Sequence, residues 1–146
     1  MAENKHEKFM KAAHEEARKA FDRQEVPVGA VVVLNDQIIA RAHNLTETLK
    51  DPTAHAEMQV ITSAASWLGG KYLTECTIYV TVEPCAMCAA AIGWSQAPYL
   101  VYGADDEKKG YTKIQGQLLH PKTKVVAGIM EEECRDLMSK FFKKKR

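Results

Sequence analysis

Two short segments, His55-Ala56-Glu57 and Pro84-Cys85-Ala86-Met87-Cys88, hold residue types whose spacing could do chemistry. Cys85 and Cys88 are three positions apart, so on a helix their side chains share one face. With the imidazole of His55 they make a three-ligand set for zinc, with Zn–S distances of about 2.3 Å and a Zn–N distance of about 2.0–2.1 Å. Three protein ligands leave one tetrahedral position for water, and that open position separates a catalytic zinc from a structural one. Zinc lowers the pKa of such a water towards about 7. Glu57 stands two residues from His55. Positions i and i+2 of a helix face different ways, so Glu57 need not ligate the metal yet can reach the water, where a proton shuttle belongs.

Both segments fall where helix N-termini are expected. Asp51-Pro52-Thr53 is a helix-entry signal, Met58, Ile61, Ala65 and Leu68 form one helical face, and Gly69-Gly70 ends the helix. Thr77 to Val82 alternates like a strand, and Pro84 suits the first turn of a helix running to about Trp94. A helix start carries unpaired N–H groups and partial positive charge, which favours thiolates. Around these elements, residues 5–21 read as an amphipathic helix on Phe9, Ala13, Ala17 and Phe21, with Met10 and Ala20 beside them. Ala30 to Leu34 and Gln37 to Ala42 read as a hairpin turned at Asn35-Asp36. Tyr99 to Tyr102 and Lys124 to Ile129 read as strands flanking a polar stretch, 104–120, anchored by Leu118-Leu119. Glu131 to Phe142 reads as a last helix with Met130, Cys134, Leu137, Met138, Phe141 and Phe142 inward. Such alternation predicts an α/β domain over 1–146, a central sheet with helices on both faces.

The chain has 146 residues, long enough to bury a core without disulfides. No apolar run approaches a membrane span or a secretory signal, so the expected location is the cytoplasm. In a reducing compartment the four cysteines are thiols or ligands. Net charge is +1, but residues 1–139 carry 15 basic and 19 acidic side chains, and five of the twenty Lys and Arg lie in the last seven residues. That basic tip is either a phosphate-binding edge or a solvated helix end whose cations suit the helix dipole. For the metal, the structural alternative is a closed site with a fourth ligand from Cys76, Cys134, His43 or His120. Cys76, before a strand, and Cys134, on an apolar helix face, read more simply as buried thiols.

His-x-Glu followed by Pro-Cys-x-x-Cys is the signature pattern of the zinc deaminases. Here 30 positions separate His55 from Cys85, with a strand between them. Beyond the motif, Val26-Pro27-Val28-Gly29-Ala30, Asn44, Asp51 to Glu57, Tyr79 to Cys88, Val101-Tyr102-Gly103-Ala104 and the ending Glu133-Cys134 to Phe141-Phe142 resemble the bacterial tRNA-specific adenosine deaminases. The resemblance implies a cytidine-deaminase-like three-layer α/β/α sandwich with a five-stranded mixed sheet. It implies a homodimeric hydrolase with one Zn2+ per subunit, converting adenosine to inosine at the wobble position of a tRNA anticodon stem-loop, that of an arginine tRNA. By the same resemblance Asn44 contacts the target base and Asp106 lies near its ribose; read alone, Asn44 is a turn residue after the hairpin. The chain departs from the family in having no basic residue across Gln96-Ala97-Pro98-Tyr99 and an acid at Asp105. Lys108, Lys109, Lys113 and the C-terminal cluster are candidates to replace those charges. Two other functions share parts of the pattern: a deaminase of a free base or nucleoside such as guanine or cytosine, and an RNA-binding module without catalysis.

Overall fold

The computed structural model describes residues 2–144, with side chains from Lys5 onward. Lys145 and Arg146 of the C-terminal basic cluster lie outside the described residues. Five strands, β1 (Gly29–Leu34), β2 (Gln37–His43), β3 (Thr77–Val82), β4 (Tyr99–Ala104) and β5 (Lys124–Val126), form one sheet in the order β2-β1-β3-β4-β5. β1 is antiparallel to β2 and β3, whereas β3, β4 and β5 run parallel. Helices α1 (Ala2–Asp22) and α5 (Glu131–Lys144) cover one face. Helices α3 (Ala56–Leu68) and α4 (Ala86–Ser95) cover the other, and α2 (Thr46–Leu49) is a single turn after the hairpin. No helix of the described residues is long and apolar enough to cross a membrane.

The central strands are buried on both faces, which explains their near-continuous apolar runs. Ala30, Val32, Ile78, Val80 and Leu100 pack towards α3 and α4, while Val31, Val33, Tyr79 and Val101 pack towards α1 and α5. The α1 stripe comes to within backbone contact of the sheet. Ala13 and Ala17 are fully buried, and a Cβ on Gly29 would lie 2.1 Å from the Ala13 carbonyl oxygen. Only glycine admits that approach, and it brings the start of β1 against α1.

Several boundaries differ from the sequence-based expectation. Asp51-Pro52-Thr53 forms a turn of its own, with Asp51 Oδ1 accepting from the Thr53 N–H and Oγ1 at 2.8 Å each, and α3 starts only at Ala56. Its buried residues are Ala56, Glu57, Val60 and Ala64; Met58, Ile61 and Ala65 are half-buried and Leu68 is exposed. The sheet thus takes a face containing two alanines, because small residues let a helix sit close. Pro84 precedes α4 instead of entering it. β5 ends at Val126, since 127–130 leave the sheet to start α5. On α5, Cys134 and Phe141 are buried but Phe142 is 49% exposed. Consecutive helical residues point about 100° apart, so Phe141 and Phe142 cannot share one face.

Candidate metal centre and active site

His55 and Cys85 occupy equivalent places in the fold. Each is the N-cap residue of its helix, α3 or α4, in extended backbone conformation, and neither side chain caps the helix. Their carbonyls start the helices, accepting from Gln59 N–H at 3.2 Å and Ala89 N–H at 2.8 Å. Their side chains are left to meet between the two helices. The adjacent N-termini bring two positive dipole ends to one point. Gln59 ties the residue before His55 to the end of β2: its Nε2 donates to the His43 carbonyl at 2.9 Å and to the Ala54 carbonyl at 3.2 Å.

His55 Nδ1 lies 3.4 Å from Cys88 Sγ and 3.7 Å from Cys85 Sγ, and the three donor atoms all lie within 4.8 Å of one another. Ligands around a tetrahedral zinc with Zn–S of about 2.3 Å and Zn–N of about 2.05 Å stand about 3.6 Å apart. The observed separations straddle that value, so this donor set fits zinc. The four residues weighed as a fourth ligand are engaged elsewhere. Cys76 is in the core beneath α3 and α4, and Cys134 in the core beneath α1 and α5. His43 Nδ1 pairs with Glu16 at 2.9 Å, and His120 Nδ1 accepts from the Lys122 N–H.

The electrostatics favour one thiolate within the cysteine pair. A hydrogen bond from Cys88, opposed by burial and aided by a further bond with His55, brings the Cys85 thiol down to about 4. Cys88 goes up, because it keeps the proton that the Cys85 sulfur shares. His55 is raised, chiefly by its bond with Cys85. Glu57, in the first turn of α3, is 3% exposed, and burial pushes its carboxyl up to about 7 despite hydrogen bonding and the neighbouring imidazole. A carboxyl with such a value can both take and give a proton near neutral pH.

His55, Glu57 and Cys85 line a cavity of about 1050 Å³, several times the volume of one base, and Cys88 is buried behind them. Asn44 and Asp106 line it too. Asn44 is buried, and its Oδ1 accepts from the Thr46 N–H at 3.3 Å, so it both shapes the turn and borders the cavity. Asp106 Oδ1 accepts from the Lys108 and Lys109 N–H groups at 3.1 and 2.9 Å, organising the loop that bears both lysines. Lys108 and Lys109 reach the cavity wall, whereas Lys113 is not on it. α5 closes the outer side with Arg135, Met138, Phe142 and Lys143. Reading Met138 and Phe142 as core residues hid this wall; the doubled phenylalanine was the available signal. Glu25 also went unnoticed. It is fully buried, and its carboxylate accepts from Glu47 N–H, Thr48 N–H and Thr48 Oγ1, tying down the segment next to Asn44. An acid beside Val26-Pro27 was its only mark in the sequence.

Residues 4–146 match the MafB19-like deaminase family model. The tRNA-specific adenosine deaminase of Bacillus subtilis (strain 168) is 46% identical over 145 residues, covering 96% of this chain and 90% of that one. That of Agrobacterium fabrum is 44% identical over 151 residues, covering 100% and 98%. A structure solved in a study of A-to-I editing by tRNA:A34 deaminases at the wobble position superposes with a TM-score of 0.83 at 44% identity, over 88% of this chain and 97% of that one.

Proposed function

Because the chain belongs to the tRNA-specific adenosine deaminase family, we propose that it is a zinc-dependent hydrolase converting adenosine to inosine at the wobble position of a tRNA anticodon loop, with an arginine tRNA as substrate. The carrying observation is the convergence of His55, Cys85 and Cys88, two of which line one cavity together with the buried Glu57. Held by His55 Nδ1 and the two sulfurs, zinc would supply Lewis-acid chemistry, lowering the pKa of water towards about 7.

The chain's own groups account for the rest. A base stacked within its strand cannot present C6 to groups that line a cavity, so the target nucleotide is flipped into it, at low cost from a single-stranded loop. Glu57 takes a proton from the attacking water and delivers it to purine N1. Water oxygen bonds to C6, making that carbon tetrahedral. Glu57 then takes the proton of the new C6 hydroxyl and passes it to the amine, the C6–N bond breaks, and ammonia leaves inosine, with its C6 carbonyl, behind. Asn44 holds the base edge, and Asp106 meets the ribose, where a 2′-OH contact favours RNA over DNA. Lys108 and Lys109, with Arg135 and Lys143 opposite, supply phosphate-binding charge that the Gln96–Tyr99 segment lacks.

The same reading places the protein in the cytoplasm as a homodimer. Supporting the dimer, the α3 and α4 layer leaves Trp67 61% and Trp94 82% exposed, large apolar groups of the kind that mark interfaces. The test is incubation with total tRNA, then sequencing for adenosine read as guanosine at wobble positions, beside assays of ammonia from free bases and nucleosides. Ammonia from guanine or cytosine with none from tRNA would replace this reading with a free-base deaminase.

A further inference from the structure

Glu83 lies between the end of β3 and Pro84, is 3% exposed, and has no part in the chemistry above. Its carboxyl group accepts three hydrogen bonds from one loop. Oε1 accepts from the Asp106 N–H at 3.1 Å, and Oε2 from the Thr112 N–H at 3.0 Å and Thr112 Oγ1 at 2.6 Å. Both ends of 106–112 are thus gathered on one buried group. Gly110, inside the loop, packs on the same group: a Cβ there would fall 2.3 Å from Glu83 Cδ. The backbone completes the join. Tyr111 N–H donates to the Pro84 carbonyl at 2.9 Å, and Gly110 bridges to Cys85. The loop that brings Asp106, Lys108 and Lys109 to the cavity is therefore fastened to the turn presenting Cys85.

Residues 105–109 read Asp-Asp-Glu-Lys-Lys. Five charged side chains bury little apolar surface, so hydrophobic packing cannot offset the entropy of ordering this wall. Its order depends on backbone hydrogen bonds, and Glu83 receives those at its two ends. We propose that Glu83 is a positioning residue for the polynucleotide, holding the 105–112 wall in register with the reactive cluster. The inference rests on the tRNA deaminase reading of the same cavity.

The test uses the full, zinc-loaded chain as Glu83→Gln and, as the milder change, Thr112→Val. In Glu83→Gln the amide NH2 must face a backbone N–H, so at most two of the three bonds survive. Thr112→Val removes only the hydroxyl bond. With an anticodon stem-loop as substrate, KM should rise about tenfold in Glu83→Gln and about threefold in Thr112→Val, sizes expected for a lost buried hydrogen bond. In both variants kcat should stay within about threefold and zinc at wild-type content, because Cys85 and Cys88 are untouched. Hydrogen exchange needs no substrate: the Asp106 and Thr112 amides should exchange faster in Glu83→Gln while amides of α4 keep their protection. Unchanged KM in both variants would overturn the proposal. So would loss of zinc and kcat at constant KM, which would make Glu83 a support of the Cys85 turn alone. If Glu83→Gln does not fold, Thr112→Val decides on the same readouts. A wild-type chain forming no inosine in the stem-loop would remove the functional reading and this inference with it, an outcome distinct from variants that match an active wild type.

Discussion

Replacing Glu25 by glutamine should lower stability by about 2–4 kcal/mol, and the loss should vanish in acid. Glu25 is fully buried, yet its carboxylate is satisfied by Glu47 N–H at 3.0 Å on one oxygen and by Thr48 N–H and Oγ1 at 2.7 Å each on the other. These are amides of the first turn of α2, which has no side-chain cap of its own. Glu25 caps that turn from a distant part of the chain. In Glu25→Gln the best rotamer keeps both Thr48 bonds, now without charge, and turns its NH2 towards the Glu47 N–H. One charge-assisted bond worth about 1.5–3 kcal/mol is lost, and two are weakened. For a chain of this length about 1 kcal/mol corresponds to about 3–4 °C, so Tm at pH 7 should fall by about 6–16 °C. Burial by itself would raise the Glu25 pKa, but the hydrogen bonds from Glu47, Thr48 and Thr46 outweigh it and hold it below 4.5. A carboxyl lowered in the folded state contributes stability that is fully present above its unfolded pKa and is lost as pH falls through its folded value. The Tm gap between wild type and Glu25→Gln should hold from pH 7 to pH 5 and shrink as pH falls below the unfolded value through the lowered folded one. Calorimetry across that range checks it. A gap under about 2 °C at pH 7, or one undiminished at pH 3, would refute the reasoning.

Glu57→Gln should keep zinc and stem-loop binding but lose about 10²–10⁴-fold in kcat, the usual share of a general acid–base group; near-normal turnover would remove it from proton transfer. His55→Ala and Cys88→Ala each leave two donors, and elemental analysis should find less than stoichiometric zinc. After zinc is chelated, Cys85, held down to about 4, should be alkylated by iodoacetamide at pH 6 before any other cysteine. Buried Cys134, pushed up to about 12, should stay unmodified, and mass spectrometry of the peptides reads both. Ile92→Ala empties a fully buried position between α4 and the sheet and should cost about 2–5 kcal/mol in urea unfolding without changing KM.

The chemistry was legible in the sequence because it depends on residue types at short separations. Cys85 and Cys88 share a helix face by their spacing, and Pro84 and the preceding strand place them at a helix start. The sheet was legible for the same local reason, since β-branched runs at 30–34 and 77–82 reveal strands whatever their partners. Where local rules were ambiguous the reading missed. Asp51-Pro52-Thr53 signals both a turn and a helix entry, and the Asp51 side chain, accepting from Thr53 N–H and Oγ1, holds the turn. Met138 and Phe142 are apolar whether they face a core or a cavity.

What the sequence determined by itself is the set of ligands, the acid beside them and the alternation of strands and helices, all encoded within a few residues of chain. Only the tertiary structure decided that His55 and Cys85, 30 positions apart, cap adjacent helices and meet across them. It also decided that Glu25 and Glu83 turn inward to hold the two walls of the cavity. A buried carboxyl is stable only where donors converge on it, and those donors lie more than twenty residues along the chain, beyond the reach of any local pattern.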